Sequence, residues 1–280
     1  MQNAGLAALG LDCRYLAFDV SPEQLGAAVA GARSMRFVGL NLTVPHKQRA
    51  VGLVEVVDDS AEHWGAVNTI RFEAKDARGE WRPLLELGVE TPREVRARGF
   101  NTDAEAIARA LGEDLGLKLE GARVLLLGAG GAGRTAALKL AQEGVGVLHL
   151  VNRTASRAAE LAGEIGRRFP GVKVELGYPA AAVDLVLNAT SLGLRPEDAS
   201  PLDSARLGWA RIGAVYDMIY RPAETRLLRE ARGAGCRSSN GLGMLLYQGA
   251  RALELWTGRA APVEVMRRAL ELNLYGGPCN

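Results

Sequence analysis

Residues 123–134, R-V-L-L-L-G-A-G-G-A-G-R, decide the fold of this 280-residue chain. An apolar run at 124–127 enters a glycine turn, and a helix-like stretch at 134–142 leaves it. Strand, glycine turn and helix form the context in which G-x-G-x-x-G has a mechanical meaning. Gly128 permits the tight turn, Gly130 lets the backbone approach a pyrophosphate, and Gly133 lets helix and strand pack closely. The helix N-terminus adds free N–H groups and a partial positive charge for the phosphates. Gly128, Ala129, Gly130, Gly131, Ala132, Gly133 and Arg134 are therefore expected to hold a dinucleotide.

The next strand, V-L-H-L-V at 147–151, chooses between the two common dinucleotides. A carboxylate at the end of that strand holds a free ribose 2′-hydroxyl. Here the strand ends in Asn152, Arg153 and Thr154, with Arg157 one turn on. A guanidinium suits phosphate oxygens, and no carboxylate stands there to repel a 2′-phosphate. The expectation is NADP(H) rather than NAD(H).

Outward from this core, strands alternate with helices: helix 103–115, strand 123–127, helix, strand 147–151, helix 155–168 and strand 172–176. Further strands are expected at 183–187 and 212–217. Such alternation predicts a parallel sheet with helical faces. Upstream, 3–9 reads as a short helix and 15–20 as a strand. Ser21-Pro22-Glu23-Gln24 reads as a helix start with a serine N-cap and glutamine at the capping-box position. A strand is expected at 37–44, helix at 46–54, and a strand starting at 68–72. The charged stretch 73–99 reads as a hairpin with an elaborated loop. Two helices close the chain, at about 241–257 and 262–274, with Pro262 suited to a first turn.

Composition narrows the function classes. Thirty-four basic and 32 acidic residues give a net charge of +2, no footprint for nucleic acid. No apolar run approaches the roughly 20 residues of a membrane span, and no secretory leader is visible. The 3 cysteines are scattered, and no pair among the 3 histidines has ligand spacing, so neither a disulfide framework nor a metal is expected. A cytoplasmic protein without nucleic-acid or membrane partners is expected, as monomer or homodimer.

A nucleotide domain needs a partner domain for its substrate. In the first hundred residues, Asn41 and Thr43 share one face of a strand, and Lys47 follows the proline turn. Asn68, Asn101, Thr102 and Asp103 add amides, a hydroxyl and a carboxylate, a set suited to a small hydroxyl-rich substrate.

At this point the chain resembles the shikimate dehydrogenase family. The matching pieces are N-L-T-V-P-H-K at 41–47, G-A-V-N-T at 65–69, N-T-D at 101–103 and G-A-G-G-A-G-R at 128–134. Further matches are N-R-T at 152–154, N-A-T-S-L-G at 188–193, Y-D-M-I-Y-R-P at 216–222 and N-G-L-G-M-L-L-Y-Q at 240–248. The resemblance implies a two-domain α/β enzyme. A substrate-binding domain (1–104, completed by helices from 241–280) would accompany a Rossmann-like NADP-binding domain (105–240).

It also implies roles. Lys47 would exchange a proton with the substrate's 3-hydroxyl, and Asp103 would hold the lysine and a neighbouring hydroxyl. A lysine does such work when burial and neighbours bring its pKa towards the operating pH. Asn68 and Gln248 would hold ring hydroxyls, Asn41 and Thr43 would assist, and Tyr220 would reach the substrate from the nucleotide side. Met218, Thr190 and Gly241 would line the nicotinamide and ribose. Asn152, Arg153, Thr154 and Arg157 would grip the 2′-phosphate. The implied reaction is reversible NADPH-dependent reduction of 3-dehydroshikimate to shikimate. A paralogue acting on quinate is the alternative.

The resemblance departs at the start. The family opens with a strand and an S-x-S-P motif that holds the substrate carboxylate, and no counterpart stands in this sequence. An upstream segment omitted from the given start is the expected reason. The rival reading is a catalytically crippled nucleotide-binding regulatory protein.

Overall fold

The computed structural model describes residues 1–87 and 94–277. Part of the 73–99 stretch therefore lies outside the described residues. The chain divides into two compact units. The first comprises Met1–Asp103 and Leu246–Asn273, the second Ala104–Leu245 and Leu274–Asn280.

The first unit opens with α1 (Gln2–Ala8) and α2 (Leu25–Ser34), followed by β1 (Gly39–Asn41), a 3₁₀ turn Arg49–Leu53, β2 (Val56–Val57) and α3 (Asp59–Glu62). Strands β3 (Thr69–Lys75), β4 (Trp81–Pro83) and β5 (Val95–Phe100) complete it. The sheet runs β1-β3-β5-β2, with β4 also on β3. It is mixed: β3 is antiparallel to β1, β4 and β5, whereas β2 is parallel to β5. Leu25, Val29 and Ala32 recur at helical spacing and bury against Ile70, Phe72 and Ala97. Ile70 and Phe72 are fully buried, each contributing roughly 1.5–3 kcal/mol.

Four expectations are corrected here. Residues 15–20 form no strand. The Asn3 side chain takes both backbone groups of Tyr15, donating to its carbonyl at 3.0 Å and accepting from its N–H at 2.7 Å. An amide side chain thus stands where a strand neighbour would bond, and Leu16 and Phe18 face solvent. The helix expected from Ser21 begins at Leu25, because Ser21, through its carbonyl, closes a turn with the Gln24 N–H. The stretch 46–54 is a turn and a 3₁₀ turn rather than an α-helix, and the 37–44 strand is reduced to Gly39–Asn41.

The second unit starts with α4 (Asp103–Leu115) and β6 (Arg123–Leu127), then α5 (Gly131–Gln142), β7 (Val147–Val151), α6 (Ala155–Arg168) and β8 (Lys173–Leu176). It continues through β9 (Val183–Asn188), β10 (Ile212–Asp217), α7 (Arg226–Gly233) and β11 (Arg237–Asn240). All six strands are parallel, in the order β11-β10-β9-β6-β7-β8. In chain order that is 3-2-1-4-5-6, the doubly wound arrangement of the Rossmann fold, with its switch point between β6 and β9. Leu125, Leu127, Val186 and Val215 pack against Leu227, Leu228 and Ala231 of α7. Helices α8 (Leu242–Thr257) and α9 (Val263–Tyr275) follow, and most of each is counted with the first unit.

Candidate active site

In the first unit, the loop after β1 and the end of β5 bring Lys47 and Asp103 together although they are 56 positions apart. Lys47 Nζ donates to Asp103 Oδ2 at 2.8 Å, and both side chains keep a little solvent access. The lysine's backbone is held as well, since its carbonyl accepts from the Val67 N–H at 2.8 Å. Asn68 is buried and organises the pair from beneath. Its Nδ2 donates to Asp103 Oδ1 at 2.9 Å and to Thr102 Oγ1 at 3.0 Å. Its Oδ1 accepts from the Thr102 N–H at 2.9 Å and from Thr69 Oγ1 at 3.1 Å. Asn101 closes the turn, accepting from the Asp103 N–H at 3.0 Å and donating to the Ala66 carbonyl at 3.0 Å.

Asn41 continues the network along the sheet, its Nδ2 donating to Thr69 Oγ1 at 2.9 Å. Its Oδ1 accepts from the Tyr15 hydroxyl at 3.1 Å, and the Tyr15 ring packs against Trp256. Sequence reasoning gave Tyr15 no site role; an aromatic hydroxyl at the head of the expected 15–20 strand was its only signal. Thr43 is exposed beyond the strand, and Gln248 lies half-buried on α8. The result is a charged pair, one side still wet, on a floor of amides and hydroxyls whose own donors and acceptors are largely paired. Such an arrangement fixes a proton donor and leaves polar groups for a hydroxylated ligand.

The second unit presents a backbone-built site. Gly128 has φ +104°, a value that favours glycine, and a Cβ on Gly133 would lie 2.1 Å from the Gly128 carbonyl oxygen. Gly130 is the N-cap of α5. The Ala129 N–H donates to Asn152 Oδ1 at 3.0 Å, and Asn152 Nδ2 donates to the Thr154 carbonyl at 2.8 Å. Asn152 therefore ties the glycine turn to the start of α6. Arg153 and Arg157 are exposed beside it. Arg134 differs: its guanidinium makes a two-point bond to Glu164 of α6, at 2.6 and 2.9 Å. Arg168 also bonds Glu164, at 3.0 Å. Thr190, Met218 and Gly241 follow the carboxyl ends of β9, β10 and β11, where ligands of open parallel sheets bind. Tyr220 is partly exposed on the loop after β10.

A doubly wound unit with a dinucleotide-type glycine turn, joined to a second α/β unit carrying a lysine–carboxylate pair, defines the class of two-domain dinucleotide-binding α/β proteins. Family comparisons make it specific. Residues 1–70 match the shikimate dehydrogenase substrate binding domain, 110–193 the shikimate / quinate 5-dehydrogenase family, and 241–271 the shikimate 5'-dehydrogenase C-terminal domain. The chain is 45% identical over 290 residues to shikimate dehydrogenase (NADP(+)) of Moorella thermoacetica, covering 99% of this chain and 90% of the relative. It resembles the crystal structure of shikimate 5-dehydrogenase from Thermus thermophilus in complex with NADP(H) and shikimate (TM-score 0.77, 35% identity, 96% of this chain, 91% of that one). It also resembles quinate dehydrogenase from Corynebacterium glutamicum in complex with NAD (TM-score 0.79, 30% identity, 98% and 93%). The chain belongs to the shikimate dehydrogenase family.

Proposed function

We propose that this chain is an NADP(H)-dependent shikimate dehydrogenase, reversibly reducing 3-dehydroshikimate to shikimate. The observation that carries the reading is the 2.8 Å Lys47–Asp103 pair set on Asn68. When bound, NADPH supplies the hydride for the carbonyl carbon. Lys47 supplies the proton to the carbonyl oxygen from Nζ, and takes it back in the oxidative direction. Asp103 holds Nζ through Oδ2, while Asn68 fixes the other carboxylate oxygen and so the direction in which the lysine points. Within the substrate-binding unit Gln248 receives ring hydroxyls and Asn41 and Thr43 assist with the hydroxyls and the carboxylate, while Asn68, its amide fully engaged, shapes the floor beneath them.

The glycine turn fits a pyrophosphate, because its tightest contact, Gly133 on Gly128, leaves no room for side chains between strand and helix. Arg153 and Arg157 fit a 2′-phosphate, with Asn152 and Thr154 shaping the turn beneath. Arg134, engaged by Glu164, contributes little to that phosphate. Thr190, Met218 and Gly241 would line the nicotinamide and ribose. The scattered cysteines, Cys13 and Cys236 both free, suit a reducing cytoplasm.

The test is the rate of NADP⁺ reduction with shikimate, and with quinate in parallel, for the parent chain and Lys47→Ala. Turnover with shikimate that collapses in Lys47→Ala, with NADP⁺ affinity kept, is the expected result. Turnover with quinate alone overturns the substrate assignment, and a fully active Lys47→Ala overturns the chemistry.

A further inference from the structure

Three strands of the nucleotide unit end in a registered polar row. Asn188 closes β9, Asp217 closes β10 and Asn240 closes β11, and Asp217 is paired in register with both neighbours. Each strand is otherwise bonded as an ordinary parallel ladder, so the row belongs to the loops beyond it. Asn188 and Asp217 are fully buried. A buried carboxylate is costly unless its oxygens are bonded, and here they are. Oδ1 accepts from Asn188 Nδ2 at 2.9 Å and from the Ile219 N–H at 3.1 Å. Oδ2 accepts from Thr225 Oγ1 at 2.6 Å.

The partners lead to three loops. Asn188 Oδ1 accepts from both the Thr190 N–H (3.0 Å) and Thr190 Oγ1 (2.7 Å), and its Nδ2 also donates to the Leu192 carbonyl at 3.3 Å. The Asn188 carbonyl accepts from the Met218 N–H at 2.9 Å. Thr225 caps α7, accepting from the Leu228 N–H, and so anchors the far end of the loop carrying Tyr220. Asn240 donates to the Ala223 carbonyl at 2.8 Å and accepts from the Leu242 N–H at 3.0 Å. A Cβ on Gly241 would lie 2.1 Å from the Met218 carbonyl oxygen, so these loops have little slack. The Tyr275 hydroxyl bonds the Tyr220 carbonyl from the end of α9.

We propose that Asp217 is a positioning residue for the nicotinamide: through Asn188 and Thr225 it sets where Thr190, Met218 and Tyr220 stand. The inference rests on the proposed placement of the nicotinamide against Thr190 and Met218. It assigns the carboxylate no contact with cofactor or substrate. Its chemistry is directional, because the carboxylate only accepts and the asparagine amide donates across the row. A second carboxylate at 188 therefore breaks the row by repulsion, and exchanging the two residues restores the bond between them while leaving the Ile219 N–H and the Leu192 carbonyl without their partners.

The experiment compares the parent chain, Asn188→Asp, and the exchange Asn188→Asp with Asp217→Asn. Three readouts are taken below each variant's melting temperature. They are kcat with shikimate, the fluorescence change of NADPH on binding, and the affinity of 2′-phospho-ADP-ribose, which lacks the nicotinamide. Asn188→Asp is expected to lose about tenfold in kcat and most of the NADPH emission change. The affinity for 2′-phospho-ADP-ribose should stay within about twofold, and the exchange, which restores the 188–217 bond alone, should recover part of both losses. Should Asn188→Asp fail to fold, Thr225→Val removes the hydroxyl that donates to Asp217 and caps α7, and is read in the same way. A variant that melts earlier while keeping kcat and the emission change overturns the inference, as does an exchange that recovers neither. A parent chain that turns over no shikimate yet shows the emission change, lost and recovered as above, overturns the substrate reading alone. A parent chain that binds neither NADPH nor the fragment overturns both.

Discussion

The glycine turn of the second unit is made of backbone: Gly128 in a left-handed conformation, Gly133 against the Gly128 carbonyl, and Asn152 holding the Ala129 N–H. The Lys47–Asp103 centre of the first unit is made of side chains from three separate stretches, with Asn68 set between them. Backbone sites recognise what every dinucleotide shares, and they are contiguous in sequence. Side-chain sites supply a proton and a pattern of donors, and they need the whole fold to assemble. Damage to the two should therefore appear in different kinetic constants.

Lys47→Ala has the largest expected effect. Removing a general acid–base group costs roughly 10²–10⁴-fold in rate, so kcat should fall by that order with NADP⁺ affinity unchanged; calorimetric titration of the cofactor checks the second half. Gly133→Val should do the converse. Its side chain must displace the Gly128 carbonyl, an overpacking of about 1–3 kcal/mol, so KM for NADP⁺ rises while KM for shikimate holds. If either variant moves the other unit's constant as strongly as its own, the division of labour is wrong. Arg153→Ser with Arg157→Ser comes next. Losing charge-assisted bonds of about 1.5–3 kcal/mol each should cut the preference for NADP⁺ over NAD⁺ by about tenfold or more. Arg134→Ser, whose guanidinium is already bonded to Glu164, should cut it far less. Equal losses for Arg134 and Arg153 would show that the Glu164 bridge opens when the cofactor binds.

The same division explains what the sequence made legible. The strand–glycine–helix run at 123–134 and the polar end of β7 are local, and periodicity with turn chemistry suffices to read them. Lys47 and Asp103 stand out only through a resemblance that spans separate pieces, because nothing local ties a lysine after a proline turn to an aspartate at a helix start. Residues 15–20 alternate like a strand, yet Asn3 bonds both backbone groups of Tyr15. A side-chain competitor of that kind leaves no trace in hydrophobic spacing. Strand β11, R-S-S-N, is the opposite failure: it carries no apolar run, and it is a strand because β10 offers it a ladder. Asn188, Asp217 and Asn240 lay inside recognised motifs without a role, since their row exists only once the three strands are in register.

Acid provides the smallest and sharpest contrast. His149 on β7 is buried, with Nδ1 3.4 Å from Glu175 Oε2 on the paired strand β8. Burial lowers its pKa below 6.5; Glu175 opposes the shift and Lys173 adds to it. As pH falls through the unfolded value, the unfolded chain takes up a proton that the folded chain resists. Stability therefore rises with pH across this window. The His149 contribution is complete above about pH 6.5 and is lost as pH falls towards the folded pKa. The first unit behaves differently. Glu73 is buried, which raises its pKa, but bonds from Arg71 and Arg96 bring it below 4.5. Its contribution persists down to the carboxylate range and is lost only beneath it. Amide hydrogen exchange between pH 7.5 and 5.5 should accordingly show protection falling on β7 and β8 while β3 and β5 hold, once intrinsic exchange rates are divided out. His149→Gln should flatten the first trend and leave the second alone. Parallel losses in both units, or an unchanged slope in His149→Gln, would place the acid sensitivity elsewhere and remove this distinction between the two halves of the molecule.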